Sequence, residues 1–355
     1  MKYRDYIIKR LLLLFPVIFG VSVFTFAISI TVTDPVYSYL GGGAQKVSPQ
    51  QREAIRILLG LNQPWYIQYE KYVERIFFHF DWGRSTAFGN TTVLKLLSQR
   101  FPATVELAIS ALLIAVGIGI PLGIISAIRQ DRPADHVSRI FALVGVSMPV
   151  FWFGIMLQVF LVGINNAFPF LPTFPIHDRY NYVLYNPPTR ILFGILPATG
   201  FLTIDSLLSF QFNFFVDVIM HLFPPALVLS IILMAILSRM TRMSMIEVMR
   251  QDYILLAKSK GLKERVIIYR HAFRNALLPT LTIAGLLLAG LLTGAVLTED
   301  VFAWPGIGSV AAAAITRLDI NSLQGFVILT AILYVLSNLV IDLLYGYIDP
   351  RIRFD

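Results

Sequence analysis

Long stretches without a single Asp, Glu, Lys or Arg constrain this chain more than any other feature. They run from Leu11 to Thr33, Leu107 to Ile128, Ile140 to His177, Val218 to Ser238, Asn275 to Thr298 and Ile320 to Ile341. A helix that crosses a bilayer needs roughly 20 apolar residues, because a rise of ~1.5 Å each must cover ~30 Å of hydrocarbon. The third run is too long for one span and carries Asn165, Asn166, Pro169, Pro172 and Pro175. Its helix is therefore expected to stop near Gly163, with loop beyond. Six spans result. Two shorter apolar stretches, Ile191 to Ile204 and Ser206 to Val216, are broken by Pro197 and Gly200 or fall below spanning length, and read as interfacial or packed against the bundle. Only 14% of the 355 residues are charged, against roughly a quarter in soluble domains. That demotes soluble enzymes and nucleic-acid binders together.

Charge distribution orients the spans. With the first end inside, the internal segments are the start through Arg10, 129–139, 239–274 and the tail after Tyr347. They hold 18 basic and 8 acidic residues, whereas the external segments hold 11 of each. The short loops obey the positive-inside rule, which places both termini in the cytoplasm. The first apolar run exceeds a signal-peptide core of roughly 7–15 residues, and no A-x-A-like site precedes Asp34, so it reads as a retained anchor.

Outside the membrane, Asp34 to Arg100 reads as a small helical cap. Ser48, Pro49 and Gln51 form a capping-box pattern, and Gly60 can end that helix. A second helix from Pro64 to Phe80 sets Tyr69, Val73, Ile76 and Phe80 on one stripe. A lid on the span ends and a docking surface for an external partner fit this region equally. The connection from Asn165 to His221 carries Tyr180, Tyr182, Tyr185, Pro187 and Pro188. A structureless loop of that length points to function, although an aromatic belt at the interface has the same composition.

Several chemistries are missing. There is no Cys, hence no thiolate site. No P-loop occurs, and His79, His136, His177, His221 and His271 lie on separate segments without metal-ligand spacing. No catalytic grouping and no cofactor or metal site stands out. Glu106, His221 and Asp342 are the ionisable groups closest to the spans. The two acids read as interfacial or capping groups, since burying them mid-bilayer would cost on the order of 3 kcal/mol or more. Energy must then enter from elsewhere.

The largest internal loop, Arg239 to Arg274, has nine basic residues and three acids, Glu247, Asp252 and Glu264. Asp252 can cap a short helix with Tyr253, Ala257 and Gly261 on one face and Leu256 beside them. Small residues there would let a partner surface approach the backbone. A second amphipathic turn follows with Val266, Ile267, Arg270 and Phe273. Gly261 fits both a plain helix terminator and part of a helix inserted into the groove of a cytoplasmic partner.

The run from Asp252 through Lys258, Lys260, Gly261 and Leu262 to Arg270, His271, Asn275 and Pro279 resembles the EAA loop of binding-protein-dependent ABC importer permeases. It is most similar to the oligopeptide and dipeptide branch, in the subunit with the longer N-terminal region. Thr33 to Val36, Leu59 to Pro64, Asp81 to Ser85, RFPATVEL from Arg100, Pro149 to Trp152, FAWPGIG at Phe302 to Gly308 and Asp349 to Arg353 match in order. Leu255 and Leu256 stand where the general motif has Glu and Ala, and the loop between the third and fourth spans is longer than usual.

The resemblance implies an all-α, polytopic type I ABC importer permease fold with six transmembrane helices and a small external helical region. The expected division is 1–33 for the cytoplasmic end and first span, 34–101 for the external region, 102–346 for the permease core with coupling loop 239–275 and external loop 165–220, and 347–355 for the tail. It further implies a second homologous permease subunit, two ATP-binding subunits that hold ATP and Mg on the cytoplasmic side, and an extracytoplasmic solute-binding protein. Asp252, Tyr253, Leu256, Ala257, Lys258, Lys260, Gly261 and Leu262 would couple the spans to the ATPase, and Lys263 would join the polar rim. Related systems carry peptides, nickel and oligosaccharides, so the cargo stays open. The spacing of Gly290 and Gly294 lets helices pack closely, within this bundle or against the partner permease. An ATP-independent channel or ion-coupled carrier and a membrane-bound enzyme are the competing classes.

Overall fold

The computed structural model of the protein describes Leu12, residues 14–31, Val36, 48–58, 60–168, 173–192 and 195–348, except for the side chains of Leu14 and of residues 342–348. The motif residues Thr33, Asp34 and Pro35, the carboxyl of Asp342 and the tail from Asp349 fall outside this set.

Five helices are long and apolar enough to cross a membrane: α4 (Val93–Ile128), α6 (Val150–Ala167), α8 (Phe212–Met249), α10 (Glu264–Leu292) and α13 (Ile320–Ile348, counted as a span to Ile341). The sixth expected span is α1 (Leu14–Thr31), apolar around its whole circumference. Between these lie α2 (Pro49–Leu58), α3 (Trp65–Val73, continued by a π-helical turn to Phe78), α5 (Pro133–Ser147), α7 (Leu202–Leu208), α9 (Asp252–Ser259), α11 (Val296–Val301) and α12 (Ile307–Thr316).

The largest helix interface is between α4 and α8. Ala103, Leu107, Ala111 and Ala115 recur every four residues along α4 and meet Leu222, Ala226, Leu229, Leu233, Met234 and Leu237 of α8. Gly119 and Gly123 continue the stripe. A Cβ on Gly123 would lie 2.6 Å from the carbonyl oxygen of Ser238 and from Cβ of Thr241. Lipid supplies no hydrophobic drive to bring helices together, so close backbone approach along small residues takes over that role. Pro102 and Pro121 lie within α4, and Pro224 and Pro225 within α8. The sequence signal for this seam was present but unread.

The third apolar run departs from expectation. It is two helices, because Met148 is extended (φ −99°, ψ 142°) before Pro149, as the clash with a following proline requires. The second of them, α6, continues past Gly163 to Ala167, and Asn165 turns its amide onto the backbone of Phe174. The fifth span also begins and ends earlier. The amphipathic turn after Lys263 is continuous with it as a π-helical stretch, Ile267–Phe273, and α10 stops at Leu292.

The external elements are ordered by capping and aromatic packing. Ser48 N–H donates to Oε1 of Gln51, and Gln51 N–H to Oγ of Ser48, forming the expected box, while Gly60 (φ +69°) follows α2. Tyr69 and Tyr72 reach α1 through hydroxyl hydrogen bonds to Ser22 (2.7 Å) and Thr25 (2.8 Å). Burial pushes the Tyr72 phenol up to about 12. Phe80 leaves the predicted stripe: it is exposed and sits at φ +52° beyond the helix. The connection between α6 and α8 is not structureless. It contains an antiparallel hairpin, β1 (Arg190–Ile191) with β2 (Leu196–Pro197), and the helix α7. The start of α8 absorbs part of the Ser206 to Val216 stretch.

Candidate functional site

On the basic side of the bundle, α9 projects from the end of α8. Gln251 is its N-cap, so Asp252 occupies the first helical position and caps nothing; its charge still favours the N-terminal end of the dipole. Ile254 and Ala257, three residues apart, turn inward. They join Ile120, Ile124, Met245, Ile267, Ile268, Ala272 and Ala276 in one buried cluster. Ala257 is thus the root of the helix, and the expected shared outward face with Tyr253 and Gly261 does not form. Gly261 lies at φ +72°, where a left-handed backbone favours glycine, with open space where a Cβ would stand. Its immediate role is to end α9.

Outward stand Tyr253, Leu255 (64% exposed) and Leu256 (56%) of α9, with Leu262 just past its end. Lys258, Lys260 and Lys263 are exposed beside them. Tyr253 is steadied by Asn275, whose amide donates to its hydroxyl at 2.9 Å. An apolar, lysine-rimmed projection rooted in the span core is a surface built to be covered.

Behind α9, Asp135 ties three helices together. Its buried carboxylate accepts Nε and Nη2 of Arg242 at 2.7 and 2.9 Å, Oγ of Ser126 at 2.5 Å and the backbone N–H of Asp131 at 3.0 Å. The Arg242 guanidinium, with the smaller help of Ser126, holds the Asp135 carboxyl well below the usual carboxylate range. Sequence reading passed over this pair because Asp135 looked like one more loop charge. The remaining hint was the pair of acids, Asp131 and Asp135, set among Arg129, Arg132 and Arg139.

At the opposite end, Glu106 is neither solvated nor mid-bilayer and unpaired. It accepts the backbone N–H and hydroxyl of Thr203 at the start of α7 and forms a buried ion pair with Arg179, which also donates to the carbonyl of Gly200. The expectation of a capping group holds here, with the added cation. Arg179 stands 5.9 Å over the ring of Trp304, and Trp304 Nε1 donates to the carbonyl of Ala103. Glu299, fully buried, accepts the Thr104 hydroxyl (2.8 Å) and the N–H of Ser309 (3.0 Å) in the first turn of α12. A side chain on Gly306 would run into that carboxylate, which explains one glycine of the PGIG run. His221 packs over Asp217 one turn back in its own helix. Gly290 faces open space, whereas Gly294 (φ +101°) ends α10 and meets the backbone of Gly308. The pair therefore shares no packing role inside this chain. Among the described residues no group of His, Asp and Glu could hold a metal ion.

Apolar spans around a small-residue seam, with a buried ion pair closing one end and a helix projecting at the basic end, define a multi-pass membrane protein. Residues 119–354 match the family described as binding-protein-dependent transport system inner membrane component, and residues 3–108 match its N-terminal region. The chain belongs to this family, and it is a membrane permease subunit of an ABC importer. It is 40% identical over 351 residues to the di/tripeptide transport system permease protein DppB of Pseudomonas aeruginosa (strain UCBPP-PA14), covering 98% of each chain. It is 42% identical over 336 residues to the probable D,D-dipeptide transport system permease protein DdpB of Escherichia coli (strain K12), covering 95% of this chain and 94% of that one. The oligopeptide transport system permease protein AppB of Bacillus subtilis (strain 168) is 33% identical over 350 residues, 98% of this chain and 99% of that one.

Proposed function

We propose that this chain forms half of the translocation path of an ATP-driven importer of short peptides, with a second homologous permease subunit as the other half. Two ATP-binding subunits on the cytoplasmic side hold ATP and Mg, and an extracytoplasmic solute-binding protein delivers cargo. Both termini lie in the cytoplasm, and the chain itself hydrolyses nothing. Residues 34–101 form the external region, 102–346 the permease core and 347–355 the tail. The observation that carries this reading is α9: its exposed Tyr253, Leu255 and Leu256, with Leu262 just past its end, stand on the buried Ile254 and Ala257, so force on the outer face passes directly to α4 and α10. Asp252, Lys258 and Lys260 supply the polar rim of the contact, and Gly261 lets the chain turn away beneath it. Gly290, open in this chain, fits the partner-permease interface. Alternating access follows as a population shift: ATP closes the partner subunits, α9 moves with them, and the spans exchange inward-open for outward-open states. Peptide cargo is favoured over nickel or oligosaccharide by the names of the relatives.

The test is to express the chain with its genomic neighbours, reconstitute what co-purifies, and measure ATP hydrolysis and uptake with a binding protein loaded with dipeptide. Hydrolysis and uptake that both rise with loaded binding protein are expected. Solute flux without ATP by the chain alone would overturn the importer reading in favour of a channel or carrier.

A further inference from the structure

On the basic side, α5 and α8 leave a cleft of about 580 Å³ between them. α5 packs mainly on α4 and α8, and its other faces are open: Leu143 and Val146 are 67% and 56% exposed. The cleft walls are Leu143 and Val146 from α5 and Ile236 and Met243 from α8, with Ser138 and Ser238 on its floor. Three guanidiniums, Arg139, Arg239 and Arg242, border it. Asp135 is the carboxylate in contact with them, engaged bidentately by Arg242 and 3.8 Å from Arg139, and Asp131 acts on Arg242 from farther off. Arg139 also donates to Nδ1 of His136 at 2.7 Å, when that nitrogen is the acceptor. The exposed guanidinium of Arg239 makes no hydrogen bond or ion pair among the described residues. Three cations against Asp135 and the more distant Asp131 still leave positive charge uncompensated at the mouth of an apolar cleft. From Arg139 to Val146 the wall runs seven residues of helix, ~10 Å at 1.5 Å each.

We infer that this cleft binds an anionic phospholipid of the cytoplasmic leaflet, its phosphate on Arg239 and Arg139 and an acyl chain along Leu143, Val146 and Ile236. The charge is complementary, the arginines stand on the side where the positive-inside pattern puts the cytoplasmic leaflet, and basic pockets between spans on that side suit acidic headgroups. A soluble anion would gain nothing from the apolar walls, whereas a zwitterionic lipid would bring its own cation to a mouth already in excess of positive charge.

The experiment takes the complex that co-purifies with the full-length chain, strips it of lipid in detergent, and titrates it with phosphatidylglycerol or phosphatidylcholine while counting bound lipid by native mass spectrometry. Wild type is expected to retain phosphatidylglycerol at least tenfold more tightly than phosphatidylcholine. Arg239→Gln, which breaks no side-chain hydrogen bond or ion pair among the described residues, should remove most of that preference, and Leu143→Gln should weaken retention of both lipids. Arg129→Gln, an exposed cation at the same end, should change neither. Equal retention of the two lipids, or an unaffected preference in Arg239→Gln, overturns the proposal. So does displacement of phosphatidylglycerol by 10 mM inorganic phosphate or by dipeptide, which would make the cleft an anion or cargo site. Phosphatidylglycerol bound by the isolated chain and not by the complex would mean that the second permease covers this face, which also overturns it.

Discussion

Replacing Arg242 by Gln should destabilise this permease more than any exposed substitution, because it strands the Asp135 carboxylate. Asp135 has no exposed side-chain surface and Arg242 only 19%. Removing the cation deletes two charge-assisted hydrogen bonds, at 2.7 and 2.9 Å, and leaves Ser126 and the Asp131 N–H as the close partners. Breaking a buried pair from one side costs ~3–5 kcal/mol, while Ser126→Ala, which removes one hydrogen bond to a charged group, should cost ~1.5–3 kcal/mol. The double variant Asp135→Asn with Arg242→Gln should lose about 1–3 kcal/mol less than the sum of the two single changes, since the two groups interact directly. The assay is reversible unfolding of the purified protein in mixed micelles, followed by far-ultraviolet circular dichroism. The pH dependence provides a second check. Asp135 titrates below the usual carboxylate value of ~3.9, so its contribution is fully present above about pH 5 and is lost only as the pH falls through the depressed folded value. The stability that Asp135 contributes to the wild-type protein should therefore stay constant from about pH 6 to 8. An Arg242→Gln variant within about 1 kcal/mol of wild type, or strictly additive single changes, would refute the reasoning.

Other outcomes follow from the same contacts. Gly123→Ala should cost ~1–3 kcal/mol by overpacking the α4–α8 seam, whereas Gly290→Ala, with open space around its Cβ position, should be neutral or gain up to ~1 kcal/mol of helix propensity; thermal unfolding of both separates them. Leu256→Asp should leave the fold intact and lower co-purification of the ATP-binding subunits at least tenfold, while Ala257→Asp, buried at the root of α9, should lower stability as well. Gly261→Asp should reduce transport with normal membrane insertion, and normal assembly together with normal transport would sink the role given to α9. Arg179→Met strands Glu106 under the external connection, so limited proteolysis should cut between residues 173 and 211 much faster than in wild type.

The membrane class, the approximate spans and the basic side could all be read without coordinates, and the reason is physical. Partition of a helix into hydrocarbon is close to a sum of per-residue costs within one window, so Leu107 to Ile128 or Val218 to Ser238 declare themselves locally. Capping is local too, as Ser48 with Gln51 shows. The EAA-like run from Asp252 to Pro279 was likewise visible, because it is a contiguous string. Facing was a different matter. Four-residue spacing put Ala257 and Gly261 with Tyr253, but α9 is anchored through Ile254 and Ala257 because the hydrophobic cluster of α4, α8 and α10 lies on that side. Partner choice was equally hidden: Asp135 and Arg242 are 107 residues apart and Glu106 and Arg179 are 73 apart. Several arginines could have served each acid on composition alone. Which one does depends on how α4 and α8 pack along Ala103 to Gly123, and on where a proline bend at Met148 redirects the chain. Which segments enter the membrane and which side carries the positive charge are written in the linear order of residues. Which faces meet and which buried charges are paired come only with the packed fold, because they depend on contacts between segments distant in the chain.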